Sequence, residues 1–343
     1  MAADVVRISK TAVAALLAAF LCAPALAQQQ IIVGTGFVAD ALDRDVLIWD
    51  VRSEEEYLRG HIPGAVNIGE IAAELREPGS EDYIAVARIE RMLGEAGIDP
   101  KRRMILYGHK AHTSPYFGHV TVRWLGGEQA YVYHGGVDDW KAAGKPLSTD
   151  ATRLPPVVVT AELNPEVLVT TRELMAKLDD PSVQILDART VGEFQGEDIR
   201  ALRGGHVPGA VNIPYQANWI DADTPRKLAR RIVDNKDGMS LKPREALQAL
   251  YAGLDPEKET IVYCQSGVRA SESAVVLKQL GFRNVRVYDS SWLGWGNAFD
   301  APVENVSYFN VARVNAMINM LQGRIDQLED ELAELKAARE PQQ

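Results

Sequence analysis

Within this chain of 343 residues, Cys264-Gln265-Ser266-Gly267-Val268-Arg269 has the clearest capacity for chemistry. Ile261 to Tyr263 reads as a buried strand running straight into Cys264, and a helical pattern follows from Ala270 to Leu280. That order sets the thiol on the floor of a cup of successive backbone N–H groups at a helix start. Such a nest, with the positive end of the helix behind it, attracts anions and stabilises a thiolate. Gly267 permits a tight turn where a side chain would obstruct the anion. Arg269 adds a planar cationic fork at the rim. A thiolate held this way is a nucleophile at neutral pH.

The elements that must position this loop occur twice. Leu47-Ile48-Trp49-Asp50-Val51-Arg52, Glu56-Tyr57 and Gly60-His61-Ile62-Pro63-Gly64-Ala65-Val66-Asn67-Ile68 reappear as Ile185-Leu186-Asp187-Ala188-Arg189, Glu193-Phe194 and Gly205-His206-Val207-Pro208-Gly209-Ala210-Val211-Asn212-Ile213. The offset grows from 137 at the aspartates to 145 at the histidines, so eight residues around Gly196 to Arg203 are inserted in the second copy. Ile105 to Gly108 matches Ile261 to Cys264 at an offset of 156, and Tyr133 to Trp140 matches Tyr288 to Trp295 at 155. The chain is a tandem duplication. In each copy short Val, Ile and Leu runs (46–49, 104–107, 183–186, 260–263) read as buried strands. Amphipathic stretches such as Ile84 to Leu93 and Arg244 to Tyr251 lie between them. Alternating strands and helices call for a mostly parallel sheet covered on both faces. A segment with little patterning, marked by Pro146, Pro155, Pro156 and Pro165, joins the copies.

The paired Asp-x-Arg…Gly-His-(Ile/Val)-Pro-Gly-Ala segments and the cysteine loop resemble the rhodanese sulfurtransferases in their tandem two-domain form, over roughly residues 35 to 305. The resemblance implies two α/β domains, each with a parallel five-stranded sheet between helices, and a catalytic cysteine in the second alone. It implies a ping-pong cycle in which the thiolate takes a sulfane sulfur from a donor, becomes a persulfide, and passes the sulfur on. By that resemblance Cys264 is the persulfide carrier and Arg269 joins it in catalysis, while Gln265, Ser266, Gly267 and Val268 cradle the transferred sulfur and donor anion. The family places an arginine near the donor's anionic group where Arg189 stands, although its twin Arg52 argues equally for a structural part. The expected boundaries are 28–150 for an inactive first domain, 151–165 for a linker and 166–308 for the catalytic domain. Loops like Cys-Gly-Ser-Gly-Val-Thr mark the mercaptopyruvate branch of the family, and more polar or charged ones the thiosulfate branch. Ser266-Gly267-Val268 agrees with the former. Gln265 departs from it, and the extra charge of Arg269 in the cup favours a dianion, hence thiosulfate. The acceptor is left open among cyanide, a small thiol and a thioredoxin-like protein. No cofactor is expected: neither a dinucleotide fingerprint nor a Walker loop occurs.

Other residues read as framework. Gly108 stands where the first copy would need its cysteine, and His109-Lys110-Ala111-His112 replaces the cradle. Those histidines and His119 lack a cysteine or clear carboxylate to complete a metal set, so an ordinary polar loop is expected and no metal. His61, His206, Asp50 and Asp187 occur in both copies, which points to turns and caps rather than catalysis. Trp292 and Trp295 are expected to close the core near the active loop. Two rivals remain. Cysteine phosphatases and arsenate reductases also join a cysteine, a backbone cradle and an arginine, but phosphatase loops hold five residues between the two where Cys264 and Arg269 enclose four. A smaller cup suits one sulfur better than a phosphate, and the loop contains no acid for proton donation. The second rival is a non-catalytic persulfide or redox module.

Composition sets outer limits. The 47 acids against 37 bases, net −10, disfavour a nucleic-acid surface. Residues 1–27 read as a signal peptide: Arg7 and Lys10, an apolar run from Ala12 to Cys22, and Ala25-Leu26-Ala27 as cleavage site. An exported, periplasmic protein without membrane attachment is therefore expected, with Cys264 as its lone cysteine, unable to form an internal disulfide. The tail, 309–340, reads as a coiled-coil helix. Ile318, Ile325 and Leu332 fall at a, and Val314, Leu321, Leu328 and Leu335 at d. That pattern favours a parallel two-stranded coiled coil, hence a homodimer through residues 314–336. Arg324 would face Glu329 of the partner and Glu331 would face Lys336. The other reading of the tail is an amphipathic helix folded onto its own catalytic domain.

Overall fold

A computed structural model describes residues 30–337 of the chain. The signal-peptide expectation for 1–27, Cys22 included, lies outside the described residues, as do the last positions of the tail. Two parallel sheets carry the fold. The first joins β1 (Ile32–Val33), β2 (Leu47–Asp50), β3 (Val66–Asn67), β4 (Met104–Tyr107) and β5 (Ala130–Tyr133) in the order β1-β5-β4-β2-β3. The second uses β6 (Leu168–Val169), β7 (Val183–Asp187), β9 (Val211–Asn212), β10 (Glu259–Tyr263) and β11 (Asn284–Tyr288) in the equivalent order β6-β11-β10-β7-β9. The apolar runs form these strands because helices cover both faces: every residue of β2 and β4 is buried, as are four of five in β10. Between the sheets, 151–164 holds neither helix nor strand.

Topology places the active loop. β7 and β10 are hydrogen-bonded neighbours, with Tyr263 opposite Asp187, yet the chain leaves them toward opposite sides, to β9 and β11. That is a topological switch point, and the crevice beyond its strand ends is where α/β sheets hold ligands. Residues following Asp187 and residues following Tyr263 are therefore brought together there.

The domains share a core. The helix Ser114–Trp124 in the first copy and its counterpart Val268–Leu280 in the second are buried along most of their lengths. Tyr116, Val120 and Val132 pack in one cluster with Ala270, Ala274, Val275 and Val262. The helix Val268–Leu280 begins two residues before the sequence pattern would start it, because Gly267 at φ 82° caps its N-terminus. The eight-residue insertion has a structural outcome. In the first copy His61 makes only an isolated bridge with Ser148. In the second, β8 (Arg203–His206) pairs antiparallel with β12 (Glu304–Tyr308) as a separate ribbon.

After the ribbon runs one helix, Val311–Ala337. Val314, Ile318, Leu321, Ile325, Leu328, Leu332 and Leu335 are between 36% and 64% exposed, so the folded-back reading of the tail is corrected: the stripe does not pack on its own domain. Among the described residues no helix is long and apolar enough to cross a membrane.

Candidate active site

Cys264 directly follows β10 and is fully buried. Its carbonyl accepts from Trp292 N at 2.9 Å and that of Gln265 from Leu293 N at 2.9 Å, zipping the loop to the helix Ser291–Asn297. The Cys264 N–H donates to Ser291 Oγ at 3.2 Å, and the same hydroxyl donates to the Tyr288 carbonyl at 2.7 Å. Ser291 holds φ 48°, left-handed backbone that a side chain adopts at a cost of roughly 1–2 kcal/mol. Its twin is Gly136, at φ 54°, where an added Cβ would lie 2.2 Å from the Gly108 carbonyl oxygen. The strained serine thus belongs to the copy with the cysteine, where its hydroxyl anchors that cysteine's own backbone.

Arg269 does not stand free at the rim. Its Nη1 and Nη2 donate to Glu193 Oε2 and Oε1 at 2.8 and 2.7 Å, a bidentate pair with Glu193 only 1% exposed. Burial alone would raise the Glu193 carboxyl. The hydrogen bonds and charge of Arg269, with the Thr190 N–H at 3.1 Å, outweigh it and bring Glu193 down to about 2. Burial opposes the charge on Arg269, but Glu193 and the neighbouring Cys264 sulfur raise its pKa. This corrects the sequence argument for a dianionic donor: the charge of Arg269 is already matched by Glu193. A second cation, the half-exposed Arg200, donates through Nη1 to the same Glu193 Oε1 at 3.3 Å, so two guanidiniums share one carboxylate. Gln265 donates through Nε2 to the Arg200 carbonyl at 2.8 Å, tying the inserted segment to the loop.

Sequence reasoning missed Glu193, Arg200 and Ser291 as site residues. Glu193 had a signal. With Thr190 it forms a capping box on the short helix Val191–Phe194, and Ser53 and Glu56 occupy the same positions in the first copy. Its pairing with an arginine 76 residues away had none.

The cradle positions divide between the domains. Ser266 is half-buried and Gly267 buried in the turn, while Val268 packs against the core of the first domain. Arg189 is placed as framework. Its Nε and Nη2 bind Asp187, Nη2 also reaches the Gly205 carbonyl at 2.7 Å, and the guanidinium lies 4.3 Å from the centre of the Trp292 ring. Arg52 repeats this with Asp50 and the Gly60 carbonyl. The expectation that Arg189 meets the donor gives way to this duplicated brace. His61 and His206 stack on Tyr57 and Phe194 and hold their carbonyls at 2.9 and 2.8 Å, as structural turns should. Trp292 and Trp295 are buried in the core beside the loop.

The first-copy loop is held by charges. His109 bridges Glu56 at 2.8 Å and Asp138 at 3.2 Å, and Asp138, then Glu56, raise its pKa against burial. His119 instead sits inside a helix, bound to the Ala130 carbonyl, and burial lowers it to about 3, so it is neutral. Among the described residues no group of three His, Cys, Asp or Glu is arranged to hold a metal.

Comparison with known proteins agrees with this architecture. The rhodanese-like domain model matches residues 37–143 and 170–298. A thiosulfate sulfurtransferase of Corynebacterium glutamicum is 32% identical over 276 residues, spanning 76% of this chain and 83% of that protein. The sulfur carrier protein TtuD of Thermus thermophilus is 29% identical over 302 residues, 81% of this chain and 97% of its own. Among solved structures, the 3-mercaptopyruvate sulfotransferase SseA of Escherichia coli superposes with a TM-score of 0.63 at 28% identity, covering 77% of this chain and 99% of SseA.

Proposed function

The chain belongs to the rhodanese-like family, with two such domains in tandem, and from that premise we propose that it is a sulfurtransferase acting through a Cys264 persulfide, with thiosulfate as donor. The observation that carries the reading is the second-copy loop: a single cysteine at the sheet's switch point, its N–H fixed by Ser291, with Arg269 locked by Glu193. The thiolate attacks the outer sulfur of thiosulfate, the S–S bond breaks, and sulfite leaves with the electron pair. Cyanide or a thiolate then attacks the terminal sulfur of the persulfide, and the Cys264 thiolate departs with that bond's pair. Thiocyanate or an acceptor persulfide results, and no net redox change occurs on the protein.

The choice of thiosulfate over 3-mercaptopyruvate rests on the names of the 32% identical relatives and on the one positive charge in excess where Arg269 and Arg200 share Glu193. The phosphatase reading is disfavoured by Glu193, the acid nearest the loop arginine. It is ionised and bound twice, so it has no proton to give. A persulfide store is the second reading, favoured by the relative named as a sulfur carrier. One assay separates them: the protein and Cys264→Ser, each with thiosulfate or 3-mercaptopyruvate and with cyanide as acceptor. Turnover in the parent and none in the variant is expected. Wild-type turnover in Cys264→Ser overturns the mechanism, and loading without turnover selects the store.

We also propose that the Val311–Ala337 helix pairs with its copy to give a homodimer, supported by its exposed apolar stripe. Residues 1–27 are proposed as a cleaved signal, giving a periplasmic protein.

A further inference from the structure

The domain without a cysteine places a cation on the cysteine loop. Arg76 follows the helix Ile71–Glu74 of the first domain and is 6% exposed. It crosses to the second domain, where Nη2 donates to Asp289 Oδ1 at 2.7 Å. Its guanidinium carbon lies 4.6 Å from the centre of the Phe117 ring and 5.1 Å from that of Tyr83. Both positions lie on ring faces that favour cations. The Nε and Nη1 donors are buried and have no protein acceptor. A Cβ built on Gly267, in the middle of the Cys264 loop, would stand 2.9 Å from Arg76 Nη2 and 3.0 Å from the Asp289 carbonyl oxygen. The absence of a side chain at 267 therefore serves two ends: it allows φ 82°, and it admits the guanidinium of another domain against the loop.

The surroundings show what the charge is for. Beside Arg76, a cleft of 420 Å³ runs along Val268 and is otherwise lined on its charged side by Glu70, Glu77 and Glu81. Arg76 is thus the one cation among the charged residues lining this cleft beside the loop. Among the described residues Asp289 is the one hydrogen-bond partner of the arginine's side chain, so one carboxylate sets how much of the charge reaches the loop.

We propose that Arg76 is a positioning residue for the anionic donor, a cation lent by the non-catalytic domain to the Cys264 loop and attenuated by Asp289. The inference rests on the reading of Cys264 as sulfur carrier. It assigns the first domain a part in the chemistry and makes the domain interface part of the donor's electrostatic environment.

The test compares alkylation of Cys264 by iodoacetate, an anion, with alkylation by neutral iodoacetamide, in the full chain and in Arg76→Met, Arg76→Lys and Asp289→Asn. The ratio reads local potential without turnover, so it holds whether or not the protein uses thiosulfate. Arg76→Met is expected to lower the iodoacetate to iodoacetamide ratio about tenfold, the order of one charge-assisted contact. Arg76→Lys should recover most of it, and Asp289→Asn should raise the ratio above that of the parent. If the parent turns over thiosulfate, Arg76→Met should also raise KM for it while kcat changes little. Equal losses with both reagents in Arg76→Met, or a fall in Asp289→Asn matching that in Arg76→Met, would show a packing clamp only and overturn the proposal. Failure of the sulfurtransferase reading would be seen separately, as a parent that alkylates but does not turn over.

Discussion

Glu193→Gln isolates the element that sequence reasoning overlooked. The substitution keeps the shape and one acceptor but removes the charge, so it imitates a permanently protonated Glu193. In the folded protein the carboxyl lies near 2, against an ordinary value of 4.5, because Arg269 outweighs the effect of burial. At 1.36 kcal/mol per pK unit, this depression contributes about 3 kcal/mol of stability at neutral pH. Glu193 is 1% exposed, so screening by solvent takes little from it, whereas the half-exposed Arg200 adds little to it. The sign follows from the direction of the shift. A depressed carboxyl stabilises fully above its unfolded pKa and loses that stabilisation as pH falls from 4.5 toward 2. Urea denaturation followed by tryptophan fluorescence should give a deficit in Glu193→Gln of about 3 kcal/mol at pH 7, shrinking to under half of that by pH 3. A deficit of the same size at both pH values would place the loss in packing. A deficit below about 1 kcal/mol at pH 7 would mean that the pair is no stronger than a surface salt bridge.

Other outcomes are open to direct measurement. Arg269→Ala should slow loading of Cys264 from thiosulfate more than alkylation by iodoacetamide, and should destabilise by about 3–5 kcal/mol because Glu193 is left buried without its main partner. An equal effect on both reagents would confine Arg269 to support of the nucleophile. Light scattering should give a dimer for the protein with its tail and an active monomer for a chain ending at Asn310. That end point spares the ribbon, since Tyr308 pairs with Arg203 and Ser307 Oγ donates to the Gly196 carbonyl. A monomer with the tail present, or a dimer without it, would refute the coiled coil. The native protein should begin at Gln28, and N-terminal sequencing that finds Met1 or Ala2 would remove the signal peptide.

Local physics made the sheets legible. Runs such as Met104 to Tyr107 and Ile261 to Tyr263 are apolar throughout because parallel strands are buried on both faces, and their duplication fixed the order of elements. The capping box at Thr190 and the Ser53 cap, whose Oγ accepts from the Glu56 N–H, are equally local, although the sequence reading did not draw on them. What escaped is long-range. Arg269 meets Glu193 across 76 residues and Arg76 meets Asp289 across 213, and no spacing rule connects such pairs. The error over the charge of Arg269 has this origin: a cation counted from sequence carries no sign of the carboxylate that the fold sets against it. Ser291 escaped for another reason. In sequence it is an ordinary serine, and nothing in its residue type marks the φ of 48°, close to the 54° of Gly136 at the twin position, or the bond its Oγ accepts from the Cys264 N–H.

On the proposed reading, the duplication accounts for one copy being nucleophilic and the other not, beyond the exchange of Cys264 for Gly108. Glu56 and Glu193 are twins, each presented by a capped helix toward the loop after the central strand. In the first copy Glu56 is met by His109, the position equivalent to Gln265 at the offset of 156. In the second, Gln265 turns away to the Arg200 carbonyl, an acceptor supplied by the inserted segment, and Glu193 is met by Arg269 four residues further on. The carboxylate is therefore drawn toward the base of the helix Val268–Leu280 and away from the residue beside the thiol. A cysteine placed at 108 would stand next to His109, already bound between Glu56 and Asp138, with Gly136 in place of Ser291 and so no hydroxyl for its N–H. Restoring the nucleophile alone to the first domain would leave its loop organised around a histidine, which is why the insertion, Ser291 and Arg269 belong to the site as much as the thiol does.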